Sequence, residues 1–189
     1  MPEFELLFVC TGNLVRSPIA EALARRELAA YPTVPLRVSS AGSHATEGDP
    51  AAGWALRAAA ARGANLERHY ARELTRRRVR AADLILCMAG EHLDAVFDLD
   101  RTADERTFLL VSFARGAPRW ARLAGSPQEL VALAASNAVE QPSDDVDDPL
   151  GQPPGHYLAC ARRLDRAVSR VIAALLATLG VVASRPDPS

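Results

Sequence analysis

Lysine is absent from this 189-residue chain; all 22 of its basic residues are arginine. Lysine Schiff bases, lysine-anchored cofactors and the nucleotide-binding phosphate loop that depends on a lysine are therefore excluded. Cysteine is scarce. Cys10, Cys87 and Cys160 lie far apart, without the C-x-x-C spacing of a structural zinc site. An odd number of thiols points to a reducing compartment. The N-terminus, Met1-Pro-Glu-Phe-Glu, is acidic and has no apolar core, so no secretory leader is expected. Long apolar runs are missing too. Val168–Ala183 is broken by Arg170 and Gly180, short of the roughly 20 residues needed to cross a bilayer. Neither sign of charge dominates: a formal net charge of -1 supplies no field that would gather nucleic acid or an anionic membrane. The motifs H-E-x-x-H, G-x-S-x-G and G-x-G-x-x-G do not occur, so their metal, serine-hydrolase and dinucleotide chemistries have no support.

Hydrophobic residues make up 49% and charged residues 24%, enough to build a core without disulfides or metal. One soluble, cytoplasmic domain is expected over residues 1–183, followed by a flexible tail over 184–189 with two prolines. Phe4–Val9 is a short apolar run bounded by Gly12 and reads as a buried strand. Further strands are expected at Leu36–Ser39, Asp83–Met88 and Thr107–Val111. Helical spacing marks Pro18–Ala30, Pro50–Arg62 up to Gly63, Leu74–Ala82, Glu91–Phe97 and a long final helix over His156–Leu179. Gly116–Pro142 reads as a loop holding a short helix near Gln128–Ser136. Strands alternating with helices imply parallel βαβ units and an α/β sandwich.

The chemistry concentrates where the first strand ends, in Val9-Cys10-Thr11-Gly12-Asn13-Leu14-Val15-Arg16-Ser17-Pro18. Open α/β sheets bind ligands at the carboxyl ends of their strands. Here a thiol stands at that end, followed by a tight loop, an arginine, and Ser17-Pro18 as N-cap and first helical residue. Backbone N–H groups in such a loop can curl around an oxyanion, with the helix dipole adding positive potential. Arg16 can offer two parallel donors to two phosphate oxygens. The same field favours the thiolate of Cys10 and makes it a nucleophile at neutral pH. An ester leaving group also needs a proton donor. Ser143-Asp144-Asp145-Val146-Asp147-Asp148-Pro149, just before the last helix, crowds carboxylates together, a setting that lets one of them keep its proton. Pro149 restricts the backbone of Asp148 to extended conformations, which suits a group held at a leaving oxygen. Asp144 and Asp145 are expected to be dispensable.

Cys10–Pro18 with the following Ile19-Ala20-Glu21-Ala22-Leu23 closely resembles the start of the low-molecular-weight protein tyrosine phosphatases. Ser39-Ser40-Ala41-Gly42, His69-Tyr70-Ala71-Arg72-Glu73-Leu74-Thr75, Asp83–Met88 and Asp148-Pro149 resemble later blocks of that family in the same order. The likeness fails over Gly116–Pro142, which is longer than usual. The resemblance implies a three-layer α/β sandwich, with a four-stranded parallel sheet flanked by helices. It implies that Cys10 forms a phosphocysteine, and that Arg16 and the amides of Thr11, Gly12, Asn13, Leu14, Val15 and Arg16 bind phosphate. Asp148 would protonate the leaving group and then activate water. Ser17 would bond the thiolate and Asn13 would hold the loop's strained shape, with Ser40 and His69 supporting them. The substrate implied is a phosphorylated protein or peptide and the product inorganic phosphate, with no metal, no organic cofactor, no nucleic acid and no membrane.

Some positions depart from the family. Val15 stands where many members carry a second cysteine that protects the nucleophile as a disulfide. Ser43-His44-Ala45-Thr46-Glu47 and Leu150-Gly151 replace segments that often carry aromatic pocket walls, which weakens stacking on a phenyl ring. An arsenate reductase on this fold would need two further cysteines close together. A phosphoarginine hydrolase would carry a small threonine at Leu14. A non-catalytic phosphate-binding module would lack Cys10, Arg16 or the aspartate. Other conspicuous residues read as structural: His44 as a solvated loop residue, His92 and His156 as helix-surface residues, Cys87 and Cys160 as core thiols, and Arg76, Arg77, Arg78 and Arg80 as a solvated helix face.

Overall fold

A computed structural model describes residues 3–181; the tail expected at 184–189 lies outside the described residues. Four strands, β1 (Phe4–Cys10), β2 (Leu36–Gly42), β3 (Leu84–Cys87) and β4 (Thr107–Leu109), form one parallel sheet in the order β2-β1-β3-β4. Seven α-helices among the described residues accompany it: α1 (Arg16–Leu28), α2 (Gly53–Ala60), α3 (Arg76–Ala81), α4 (Gly90–Leu99), α5 (Leu110–Trp120), α6 (Pro127–Asn137) and α7 (Pro154–Thr178). Among the described residues, no helix is long and apolar enough to cross a membrane.

The side-chain period of a strand divides the core in two. Leu6, Phe8 and Cys10 of β1 face the larger cluster, which takes in residues of α1, α2, α5, α6 and α7. Leu7 and Val9 face the other way, against Val79 of α3 and Val96 of α4. Burial on both faces explains why β1 reads as a continuous apolar run rather than an alternating one. The chain leaves β1 for β2 on one side and returns to β3 on the other. Such a reversal of strand order opens a crevice at the carboxyl end of β1, where Cys10 stands.

Two expectations are corrected. β4 ends at Leu109, and residues 110–120 form a helix rather than strand and loop. Gly116 and Pro118 look like breakers, yet here they serve packing. A Cβ at position 116 would run into the Trp120 ring, and that ring stacks edge-on against Phe113 at 5.6 Å. Pro118 falls in the last turn of α5, where little helix remains to be broken. Leu110, Phe113, Ala114 and Ala117 supply a buried helical stripe. The first helix also starts earlier than expected, at Arg16, with Val15 rather than Ser17 at its cap position.

β2 runs past Ser39 to Gly42, whose register partner is Cys10. At that point the strand edge meets the loop after β1. A Cβ on Gly42 would lie 2.5 Å from the Thr11 carbonyl oxygen and 2.8 Å from the Asn13 nitrogen. Both obstacles are backbone, so neither can swing aside.

Two outcomes follow from this packing. Phe113→Ala should lower the unfolding free energy by about 3–5 kcal/mol, the usual cost of emptying a buried aromatic site, read by urea denaturation; a loop residue would cost far less. Gly42→Ala should cost about 1–3 kcal/mol through overpacking and, because the displaced atoms belong to the loop, should weaken orthovanadate binding as well, read by calorimetry.

Candidate active site

The loop Cys10–Arg16 joins the central strand to the first turn of α1. Its carbonyls are tied outward. Cys10 O accepts from Ser43 N (2.9 Å), Thr11 O from His44 N (2.9 Å), and Leu14 O from Ala52 N (3.0 Å). Among the described residues, no internal acceptor pairs with the amides of Thr11–Arg16. A run of backbone donors at a helix N-terminus, with their own carbonyls engaged elsewhere, is a ready anion cradle.

Asn13 makes that shape possible. Its φ is +53°, the only positive value on a non-glycine among the described residues, in a region that L-residues enter at a cost. The side chain is fully buried and every polar atom of it is used. Nδ2 donates to Ser17 Oγ (2.8 Å) and Ser40 Oγ (2.9 Å), and Oδ1 accepts from Arg72 N (2.9 Å). His69 Nε2 donates to the Asn13 carbonyl at 2.9 Å. Burial holds the His69 pKa below the ordinary histidine value, so the neutral ring keeps its proton on Nε2.

Cys10 Sγ lies 2.9 Å from Ser17 Oγ. That hydroxyl accepts from Asn13, and its one proton is shared between sulfur at 2.9 Å and the Ala41 carbonyl at 3.3 Å. Ser17 therefore works inside α1 as a thiol partner rather than as its cap.

Arg16 is almost wholly buried. Nη1 donates to Val146 O (3.1 Å), and Nη2 to Thr11 Oγ1 (3.0 Å) and Asp148 Oδ2 (2.5 Å). Its Nε is buried with no partner among the described residues. A buried, unpaired, charge-bearing donor is costly to leave unsatisfied, and beside the unpaired amides it fits an oxyanion.

The carboxylates of the acidic segment separate into different roles. Asp148 is the one that reaches Arg16, and its Oδ1 also accepts from Leu150 N at 3.1 Å. Asp145 Oδ1 accepts from Gly90 N at 3.1 Å, and Asp147 is exposed. Asp144 is not a solvated carboxylate. It is buried, takes both arms of Arg115 at 2.7 and 2.8 Å, and accepts from Gln141 N. Val146 N bonds Met88 O at 2.7 Å and ties the segment to the end of β3.

Three side chains of this region escape a reading of the sequence. Glu21 is buried behind the loop, accepting from Ser40 Oγ (2.6 Å), Arg72 Nη2 (2.5 Å) and Arg25 Nη2 (2.6 Å). Arg72 joins that cluster through its guanidinium and holds Asn13 through its backbone. His92, expected on a helix surface, is completely buried, with Nε2 3.0 Å from Thr11 Oγ1 and Nδ1 accepting from Ala89 N at 3.0 Å. Burial, and then the nearby Arg16, push its pKa down to about 4. The neutral ring's contribution to stability is therefore complete above the ordinary pKa of 6.5 and is lost as pH falls toward about 4. The signal for His92 was positional: it lies in the first turn after β3, and β3 borders β1.

The remaining residues stand as read, except that Arg78 is half-buried rather than solvated. His44 and His156 are exposed, and burial pushes the Cys87 thiol up and the Cys160 thiol up to about 12. Arg76, Arg77 and Arg80 are exposed on α3, and Arg80 pairs with Asp100 at 2.8 Å. Cys10 and Cys87 belong to opposite faces of the sheet, which removes Cys87 as a direct disulfide partner.

The model of the low molecular weight phosphotyrosine protein phosphatase family matches residues 5–124. The low molecular weight protein-tyrosine-phosphatase Etp of Escherichia coli K12 is 44% identical over 91 residues, 48% of this chain and 58% of that protein. Wzb of Salmonella typhi is 41% identical over 95 residues, 50% of this chain and 60% of its own length. The chain thus spans under two thirds of the length of these curated relatives. Among solved structures, the YwlE arginine phosphatase from Geobacillus stearothermophilus superposes with a TM-score of 0.70 at 27% identity, covering 89% of this chain and 90% of its own. The tyrosine phosphatase Wzb from Escherichia coli K30, in complex with sulphate, gives 0.68 at 26% identity, covering 89% and 95%. With a strand-loop-helix oxyanion cradle under a thiol and a family match over well more than half its length, this chain belongs to the low molecular weight phosphotyrosine protein phosphatase family.

Proposed function

We propose that the chain is a phosphomonoester hydrolase acting on phosphotyrosine in proteins or peptides, with Cys10 as nucleophile and Asp148 as general acid. The observation that carries this reading is the buried Arg16 Nε, without a partner among the described residues, beside a loop of unpaired amides around a thiol. The non-bridging phosphate oxygens take the amides of Thr11–Arg16 and the guanidinium of Arg16, donors already oriented before substrate arrives. The Cys10 thiolate attacks phosphorus in line. An S–P bond forms as the ester P–O bond breaks, and Asp148 delivers a proton to the leaving oxygen. Asp148 then takes a proton from water, whose oxygen attacks phosphorus, breaks the S–P bond and releases inorganic phosphate with the thiolate restored.

The Arg16–Asp148 ion pair supports this order of events. Phosphate competes with Asp148 for Nη2, so binding releases the carboxyl beside the leaving group. Leu14, half-buried in the loop, occupies the place of a small threonine in phosphoarginine-acting relatives and favours an ester substrate over a phosphoguanidine. A redox relay from Cys10 has no support, with Cys87 on the opposite face of the sheet and Cys160 held protonated by burial.

Initial rates with phosphotyrosine, phosphoserine and phosphoarginine peptides test the assignment. Cys10→Ser should abolish turnover yet still bind orthovanadate, and Arg16→Lys should weaken both, because an ammonium cannot reproduce the two-pronged donor. Appreciable turnover by the serine variant would remove Cys10 as nucleophile.

Asp148→Asn should slow phosphotyrosine hydrolysis by about 10²–10⁴-fold, and less with an aryl phosphate whose leaving group needs no proton. Asp147→Asn should leave the rate near wild type, whereas Asp144→Asn should lower stability by unpairing Arg115. A larger rate loss for Asp147→Asn than for Asp148→Asn would move the acid by one residue.

A further inference from the structure

His92 touches the phosphate loop without a part in the chemistry above. It comes from the first turn of α4, and its ring contacts both its own helix start and Thr11. The hydrogen bonds fix its tautomer. Nδ1 accepts from Ala89 N, so it is bare, and the proton resides on Nε2. Nε2 therefore donates toward Thr11 Oγ1 at 3.0 Å, with Glu91 Oε1, 3.2 Å away, as a second acceptor for the same N–H. Thr11 Oγ1 also accepts from Arg16 Nη2 at 3.0 Å, and its hydroxyl proton goes to Glu91 Oε1 at 3.1 Å. With two bonds accepted and one donated, the hydroxyl has no freedom left to turn.

The charged groups facing the ring come from three elements: Arg16 of α1, Glu91 of α4, and Asp145 and Asp148 of the acidic segment. A second proton on the ring would sit on Nδ1, opposite the Ala89 N–H, and would add a positive charge beside Arg16. Packing alone would be served as well by an apolar side chain at a fully buried position. An imidazole there, with both nitrogens bonded, is doing something directional.

Resting on the phosphatase reading of this loop, we propose that His92 is a positioning residue: its imidazole locks the Thr11 hydroxyl, and that hydroxyl holds the Nη2 arm of Arg16 so that the guanidinium lies ready for the oxyanion. Asp148 holds the same arm only until phosphate arrives, whereas Thr11 holds it in both states. His92 therefore matters most once the substrate has displaced the carboxylate.

His92→Asn separates the two contacts. Asparagine keeps an acceptor for Ala89 N–H near its backbone but is too short to reach Thr11. Orthovanadate binding to the full chain, measured by calorimetry, should weaken about tenfold, as for one lost hydrogen bond to a buried charged assembly. Truncating a buried ring lowers the denaturation midpoint as well, so affinities are compared at a temperature where circular dichroism shows every variant folded. Thr11→Val should weaken binding similarly, and Thr11→Val combined with His92→Asn should be no worse than the weaker single variant, since both break one chain of contacts. His92→Gln, long enough to donate to Thr11, should recover most of the affinity. Wild-type affinity in His92→Asn, or multiplicative losses in the double variant, would overturn the inference. Because the readout is oxyanion affinity, a wild-type chain that binds orthovanadate but hydrolyses no phosphomonoester would overturn the phosphatase reading and leave the role of His92 standing.

Discussion

Asn13 sits inside the protein with a left-handed backbone and every polar atom of its side chain engaged. A loop whose amides have no acceptor among the described residues is unstable on its own, because buried donors without partners oppose folding. What keeps this one open is a set of restraints on the opposite side of the backbone. The outward carbonyls take donors from Ser43, His44, Ala52 and His69. The amide of Asn13 bridges two hydroxyls, and Glu21 binds one of those hydroxyls together with two arginines. The left-handed turn thus costs energy at one residue and is over-determined by its neighbours, the usual condition for strain to persist at a working site.

Charge is arranged around the loop with the same economy. Arg16 is buried beneath it, where an isolated cation would be unstable. It is tolerated because Val146, Thr11 and Asp148 take its N–H groups, leaving Nε for something else. Sulfur, hydroxyl, imidazole and guanidinium reach the loop from β1, α1 and α4, all of which meet at the carboxyl edge of two adjacent parallel strands. The site is a consequence of strand order as much as of the motif.

The segment that departs from the family pattern has a structural task. α5 packs Phe113 and Trp120 into the core and presents Arg115 to the buried Asp144. Arg115 and Ser112 also hold the Val139 carbonyl. The acidic segment is therefore pinned at one end by α5 and at Val146 by the end of β3. That bracing is what allows Asp148, two residues further on, to stand at a defined distance from Arg16.

Much of this was legible in the linear chain. The apolar runs of β1 and β3 marked buried parallel strands, and Cys10–Arg16 between a strand and a helix start marked the loop whose amides are left without backbone partners among the described residues. Extended backbone before Pro149 singled out Asp148, the carboxylate that does meet Arg16. Local pattern failed at α5, where Gly116 and Pro118 outweighed the helical spacing of Leu110, Phe113, Ala114 and Ala117. A glycine that clears space for an indole looks the same in sequence as one that ends a helix. It failed again at Glu21, Arg72 and His92, polar residues that any local rule assigns to solvent. Only the packing of α1 against β2, the docking of the Arg72 backbone on Gly42 and Asn13, and the packing of α4 on β3 and β4 turn those side chains inward. Sequence by itself determined which groups could do the chemistry, because strand, loop and helix start are set by neighbours along the chain. Tertiary structure decided which groups hold them in place, because those partners lie dozens of residues away and meet the loop only when the parallel sheet brings its strand ends together.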